Sequence, residues 1–198
     1  MTHLSISLLG GLHLSLDEAP LPGFVSRKAD ALLAYLACQP RPFPRDTLAA
    51  LLWPDNDQNR ALANLSVVLS SLRKQLDAYL LADRHTIAFN TAAPHTLDVH
   101  TVENAIAQAR DQQQKTGRVS RTVAAQLDTA VSHYHGPFLA GFHLRGVPDF
   151  EAWVLLEQER LQQLALAALA DLAAFSLDRR QSAAGIAYAQ QLLALDPL

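Results

Sequence analysis

Cysteine is almost missing from this chain: Cys38 is the only one in 198 residues. No disulfide can form within the chain, and no cysteine-based zinc site is available. That fits a reducing compartment, so a cytoplasmic location is expected. Charge is scarce too, with 18% charged residues and a formal net charge of −3. Taken alone this argues mildly against nucleic acid, since phosphate binding favours a basic domain. The balance is uneven: residues 1–95 carry eight Lys/Arg against eight Asp/Glu, and residues 96–198 eight against eleven. The N-terminus lacks a basic segment followed by an apolar run, so no secretory leader is expected. Leu161–Leu172 is apolar but interrupted by Gln162, Gln163 and Asp171, so no membrane span is expected. Gly10-Gly11 is not followed by Gly-Lys-Ser/Thr, and no Gly-x-Ser-x-Gly elbow occurs. The chain is therefore expected to be no enzyme, with no catalytic residue, metal or cofactor.

What is present is apolar patterning, since 49% of residues are hydrophobic. Leu4–Leu8 and Leu12–Leu16 alternate apolar and polar residues around Gly10-Gly11, which predicts a hairpin. A third short strand is expected near Gly23-Phe24-Val25. Ser26 is placed to cap a helix carrying Ala29, Leu32, Leu33 and Leu36, which stops before Pro40. Arg45–Leu52 reads as a short second helix, ended by Trp53-Pro54. Asp55–Gln58 reads as a turn and cap into a third helix over Gln58–Leu76. Tyr79–Ala82 and Ile87–Asn90, joined by Asp83-Arg84-His85-Thr86, predict a second hairpin. Three helices followed by a hairpin are the winged helix-turn-helix plan, here with leading strands.

Residues 91–97 have no clear period, so the domain boundary is expected there: 1–95 a winged helix, 96–198 helical. Helices are predicted over Val99–Gln113, Ala124–His133, Phe150 to about Ser176, and Ser182–Leu195, with a loop at Lys115–Arg121 and an ordered turn at His135–Gly141. A helix pair closing on an apolar residue and Asp196-Pro197 suggests a tetratricopeptide-like stack. A stack would continue past Leu198, so an N-terminal fragment of a longer protein is expected. The fold class is mainly α with a smaller β part.

The helix over Gln58–Leu76 carries the chemistry. On a 100° wheel Ala61, Leu62, Leu65, Val68, Leu69, Leu72 and Leu76 share one arc. Opposite lie Arg60, Ala63, Val67, Ser70 and Lys74. Asn64 and Ser71 flank one side, and Asn59, Ser66 and Arg73 the other. No acid falls in the segment, and its three charges are all positive. Arg and Asn can bond base edges bidentately, Val can touch a thymine methyl, and Ser and Lys can hold phosphate. A surface helix that merely lacks acids would present the same face. The order of elements around it favours recognition. Arg84 at the wing tip suits a minor groove or a phosphate.

Phe24–Leu36 (FVSRKADALLAYL), Arg45–Asp55 (RDTLAALLWPD) and Arg60–Lys74 (RALANLSVVLSSLRK) together resemble bacterial regulators of the antibiotic regulatory protein class. These join a response-regulator-like winged helix to a bacterial transcriptional activator domain. His133–Phe142 (HYHGPFLAGF) and Phe150–Arg160 (FEAWVLLEQER) resemble that second part. The resemblance implies activation of transcription from double-stranded promoter DNA, recruitment of RNA polymerase, and a homodimer. It implies DNA contacts at Arg60, Asn64, Ser66, Ser70, Arg73 and Lys74, to which the wheel adds Val67 and the wing adds Arg84. The Trp53–Asp57 loop corresponds to a polymerase contact. Relatives of this kind are often richer in Arg along this helix, which implies modest affinity here. Related domain pairs also head larger proteins with nucleotide-binding segments, but nothing in this chain resembles a P-loop.

The alternative is a protein-interaction or signal-sensing module with weak or no DNA binding, which the balanced charge of residues 1–95 favours. His133, His135 and His143 could be drawn as metal ligands. The resemblance instead makes that segment a packed turn.

Overall fold

The computed structural model describes residues 2–196. They gather into two compact units that do not follow chain order simply. The first collects residues up to Ile6, then His13–Leu97, and then Gly141–Leu155. The second collects Ser7–Leu12, Asp98–Ala140 and Leu156 onward.

The first unit is a winged helix-turn-helix with a leading sheet. Its strands β1(Leu4–Ser7), β2(His13–Leu16) and β3(Ala19–Pro20) are followed by α1(Arg27–Cys38), β4(Phe43–Pro44), α2(Arg45–Leu52) and α3(Gln58–Leu76). A single 3-10 turn, Asp77–Tyr79, leads into β5(Leu80–Ala82), β6(Thr86–Phe89) and β7(His95–Leu97). One sheet has the order β3-β2-β1-β7 and the other β4-β6-β5. The β5–β6 hairpin is the wing, in the register Leu80↔Phe89, Leu81↔Ala88 and Ala82↔Ile87.

Three departures from the sequence expectation trace to one tight turn and two long-range strand pairings. The third strand lies at Ala19–Pro20 rather than Gly23–Val25. Asp17 and Glu18 take left-handed backbone (φ 49° and 68°), so the chain turns back at once and sets Ser15 opposite Pro20. The patternless 91–97 segment contains β7, which pairs parallel to β1 with Leu4↔His95. Phe43-Pro44 forms a strand no local pattern announced, pairing with Ile87 and Thr86 of the wing.

The helices form because their apolar positions recur at helical spacing. Leu32, Leu33 and Leu36 of α1, Leu48 and Leu52 of α2, and Leu65, Leu72 and Leu76 of α3 are buried with Phe43 and Ile87. Ser26 holds the N-cap position of α1, but its side chain makes no cap bond. Asp57 does cap α3: its side chain accepts from the Arg60 backbone N–H at 3.0 Å. Late in the chain, Phe142, Phe150 and Trp153 complete this unit's aromatic cluster. Trp153 meets Tyr35 edge-on with ring centroids 4.8 Å apart.

The second unit is the tetratricopeptide-like part, built from α4(Asp98–Thr116), α5(Arg121–Ser132), α6(Pro148–Asp178) from Leu156 onward, and α7(Ser182–Leu195). Val99, Val102, Ile106 and Ala109 of α4, and Val123, Leu127 and Ala130 of α5, are buried. The expected end of the stack signature at Pro197 lies outside the described residues. Asp98 starts α4 and is buried, its carboxylate accepting from the N–H groups of Leu8 (2.8 Å), Leu9 (2.9 Å) and Val99 (2.8 Å). Burial pushes its carboxyl above the usual range, against those three bonds. The His135–Ala140 turn is pinned in the same unit, since Leu139 N–H donates to Leu8 O at 2.7 Å. Gly10 sits under this turn with φ +98°, and a Cβ there would lie 2.9 Å from His135 Cβ, so glycine is required.

α6 bears on the expected packed helix over Leu161–Leu172. By length and composition it is apolar enough to cross a membrane. Its Leu161, Ala165, Ala168, Leu169 and Leu172 form one buried stripe, and Glu157, Glu159 and Arg160 lie on the same helix. A one-sided stripe is the pattern of a helix packed into a protein core.

Candidate nucleic-acid interface

The buried stripe of α3 leaves the opposite face in solvent. Arg60, Ala63, Ser66, Val67, Ser70, Arg73 and Lys74 are exposed, at the i, i+3, i+7 spacing of one face. Val67 retains 61% of its accessible surface, although it is an aliphatic side chain among polar ones. Asn64 is half-buried at the edge of this face, and so are Leu62 and Ser71. Arg84 is exposed on the wing turn with His85.

Two shallow grooves run along the exposed face. One, of about 410 Å³, is lined by Arg45, Ser66, Leu69, Ser70, Arg73 and Lys74. The other, of about 390 Å³, is lined by Val25, Ser66, Val67, Ser70, Ser71 and Lys74. No acid lines either groove. Three cations and two hydroxyls bordering one groove suit an anionic backbone, and the Val25–Val67 pair gives the other groove an apolar wall.

Sequence reasoning missed Arg45 and Val25. Arg45 Nη2 donates to Ser66 Oγ at 3.3 Å and Nη1 donates to Asp83 O at 3.2 Å. Its backbone N–H donates to His85 O at 2.9 Å. One residue at the start of α2 thus ties the wing turn to the middle of α3. Its position follows from the pairing of Phe43-Pro44 with the wing, a long-range register. The Val25 N–H donates to Ser71 Oγ at 3.4 Å, which brings the loop before α1 beside α3.

The wing turn is ordered by its own acid. Asp83 Oδ1 accepts from the His85 and Thr86 N–H groups, each at 2.7 Å. These bonds, that to Thr86 first, hold the Asp83 carboxyl below its usual range. The turn before α3 is braced differently. Lys28 Nζ donates to Leu52 O at 2.5 Å and sits 5.0 Å from the Trp53 ring. Burial lowers the Lys28 ammonium, and Asp55 partly offsets this. Among the described residues, no three His, Cys, Asp or Glu side chains gather as a metal site.

Comparison with known proteins agrees with this architecture. The family model described as "Bacterial transcriptional activator domain" matches residues 97–198, just over half of the chain. The transcriptional regulatory protein EmbR of Mycobacterium bovis is 27% identical over 130 residues, covering 66% of this chain and 33% of the relative. EmbR of Mycobacterium tuberculosis matches to the same extent. The chain thus spans about a third of the length of these curated relatives. A solved structure, Mycobacterium tuberculosis EmbR in complex with a low affinity phosphopeptide, superposes with a TM-score of 0.67 at 24% identity. It covers 100% of this chain and 52% of that one, a likeness of fold. By the match over residues 97–198, the chain belongs to the bacterial transcriptional activator domain family.

Proposed function

We propose that this chain forms the promoter-binding part of a transcription activator, with α3 entering the major groove of double-stranded DNA. The single observation that carries this reading is the acid-free exposed face of α3. Arg60, with Asn64 from the edge, addresses base edges, and Val67 meets a thymine methyl. Ser66, Ser70, Arg73 and Lys74 hold phosphates and set register. Arg84 reaches the flanking backbone or minor groove. The Trp53–Asp57 loop contacts RNA polymerase, and the helical unit supports a homodimer. The site of action is the cytoplasm, and no catalytic step is involved.

Fluorescence anisotropy against duplexes selected from a random pool tests this. Affinity should fall steeply with salt, and Arg73→Ala and Lys74→Ala should each reduce the slope of log K against log salt by about 1. Both residues are exposed, so the melting temperature should hold. A failure to select any duplex, or affinity unchanged in both variants, would sink the reading. One observation favours an interaction module instead: residues 1–95 balance eight basic against eight acidic residues. In that case selected and random duplexes would bind equally weakly.

A further inference from the structure

The second unit holds a cleft of about 640 Å³ that plays no part in the DNA reading. Its lining includes Gln113 from α4, Arg118 from the α4–α5 loop, Asp171, Phe175 and Asp178 from the last turns of α6, and Arg179 directly after it. Two guanidiniums and two carboxylates border one space. Among the described residues, none of the four forms an ion pair; those found join Arg73–Asp77, Lys115–Asp111, and Arg160 with Glu103 and Glu157. Opposite charges in one cleft would gain by pairing, yet these are held apart.

The surroundings position the two guanidiniums. Thr116 Oγ1 lies 2.9 Å from Arg118 O and 2.8 Å from Gln112 O, and the Ser120 N–H donates to Gln112 Oε1 at 2.8 Å. Those bonds set the loop that presents Arg118. The Arg179 guanidinium lies 5.4 Å from the centre of the Phe175 ring, one helical turn away. Asp171 is half-buried, and burial raises its carboxyl, with Arg110 partly offsetting this. A simple anion would meet two carboxylates in this cleft, and a simple cation two guanidiniums. A molecule carrying both charges satisfies both sets.

We propose that this cleft binds a free α-amino acid, its carboxylate on Arg118 and Arg179 and its ammonium group on Asp171 and Asp178. Bidentate pairing of a carboxylate with a guanidinium is the strong form of that contact. The volume leaves room for a side chain against Phe175, within the usual size of small-molecule sites. In a transcription regulator such a ligand would be the effector. The site does not require DNA binding, so it can be tested on its own.

The test is calorimetric titration of the chain with each of the twenty protein L-amino acids in turn. At least one should bind with a Kd below about 1 mM. The N-acetyl and methyl-ester forms of that amino acid, each lacking one charge, should bind at least about tenfold more weakly. Arg179→Ala and Asp178→Asn should each weaken the parent ligand by a similar factor, with melting temperatures unchanged because both side chains are exposed. The proposal is overturned if none of the twenty binds. It is also overturned if the N-acetyl form keeps its affinity, which marks an anion site. Retained affinity of the ester, or binding indifferent to Arg179→Ala, overturns it as well.

Discussion

Arg73 Nε donates to Asp77 Oδ1 at 2.6 Å, one turn further along at the end of α3. Both side chains are largely in solvent, at 48% and 65% relative exposure, so the pair adds only about 0.2–0.5 kcal/mol to stability. Its consequence is for binding. Asp77 engages one edge of a guanidinium that borders the groove on α3, and it places a negative charge beside the proposed phosphate path. Asp77→Asn should therefore raise DNA affinity by a few-fold while leaving the melting temperature within about a degree. Anisotropy at two salt concentrations reads this, with the larger gain at low salt. Equal or weaker affinity in Asp77→Asn would show that the carboxylate positions Arg73 rather than competing with DNA.

Arg45 makes a second, sharper prediction. Its fork spans Ser66 Oγ on α3 and Asp83 O in the wing turn, a geometry lysine cannot reproduce. Arg45→Lys should keep the charge but free the wing. Amide hydrogen exchange at Asp83–Thr86 should accelerate, and DNA affinity should fall by about tenfold. Protection at the wing unchanged from the parent would show that the β4–β6 pairing alone holds it.

How much of this could be read in advance follows from range. The buried and exposed faces of α3 were legible because period 3.6 is written in consecutive residues, and the acid-free face with it. The wing was legible from two apolar runs around Asp83–Thr86. Arg45 was not, because its role depends on Phe43-Pro44 pairing with residues more than forty positions later. β7 escaped for the same reason: His95–Leu97 becomes a strand only because β1 offers a parallel edge. The return of Phe142–Trp153 into the first unit has no local signature either. Tyr35, which Trp153 meets, lies far upstream in sequence.

Asp98 is expected to be a stability hinge of the second unit. Its carboxylate accepts three backbone N–H groups while only 7% exposed. Asp98→Ala leaves three buried donors without that acceptor, which should cost about 2–4 kcal/mol. Asp98→Asn keeps the shape but offers one acceptor oxygen, and should fall in between. Urea unfolding followed by circular dichroism checks both. A loss under about 1 kcal/mol in Asp98→Ala would mean water replaces the carboxylate at the Leu8–Leu9 corner.

Tyr188 gives a prediction in pH. Its hydroxyl donates to Asp128 Oδ1 at 2.7 Å, linking α7 to α5. Burial first, and then the acceptor carboxylate, push the phenol up to about 12. An unfolded tyrosine titrates near 10, so the folded chain holds this proton more tightly than the unfolded one. The stability this contributes is complete below about pH 10 and is lost as pH rises toward 12. In an absorbance titration of tyrosinate, Tyr188→Phe should remove a late component. Asp128→Asn should move that component toward 10 without removing it, because the repelling charge is gone while the ring stays where it is. A late component that survives Tyr188→Phe would assign it to another tyrosine, and one unmoved by Asp128→Asn would leave burial as its sole cause.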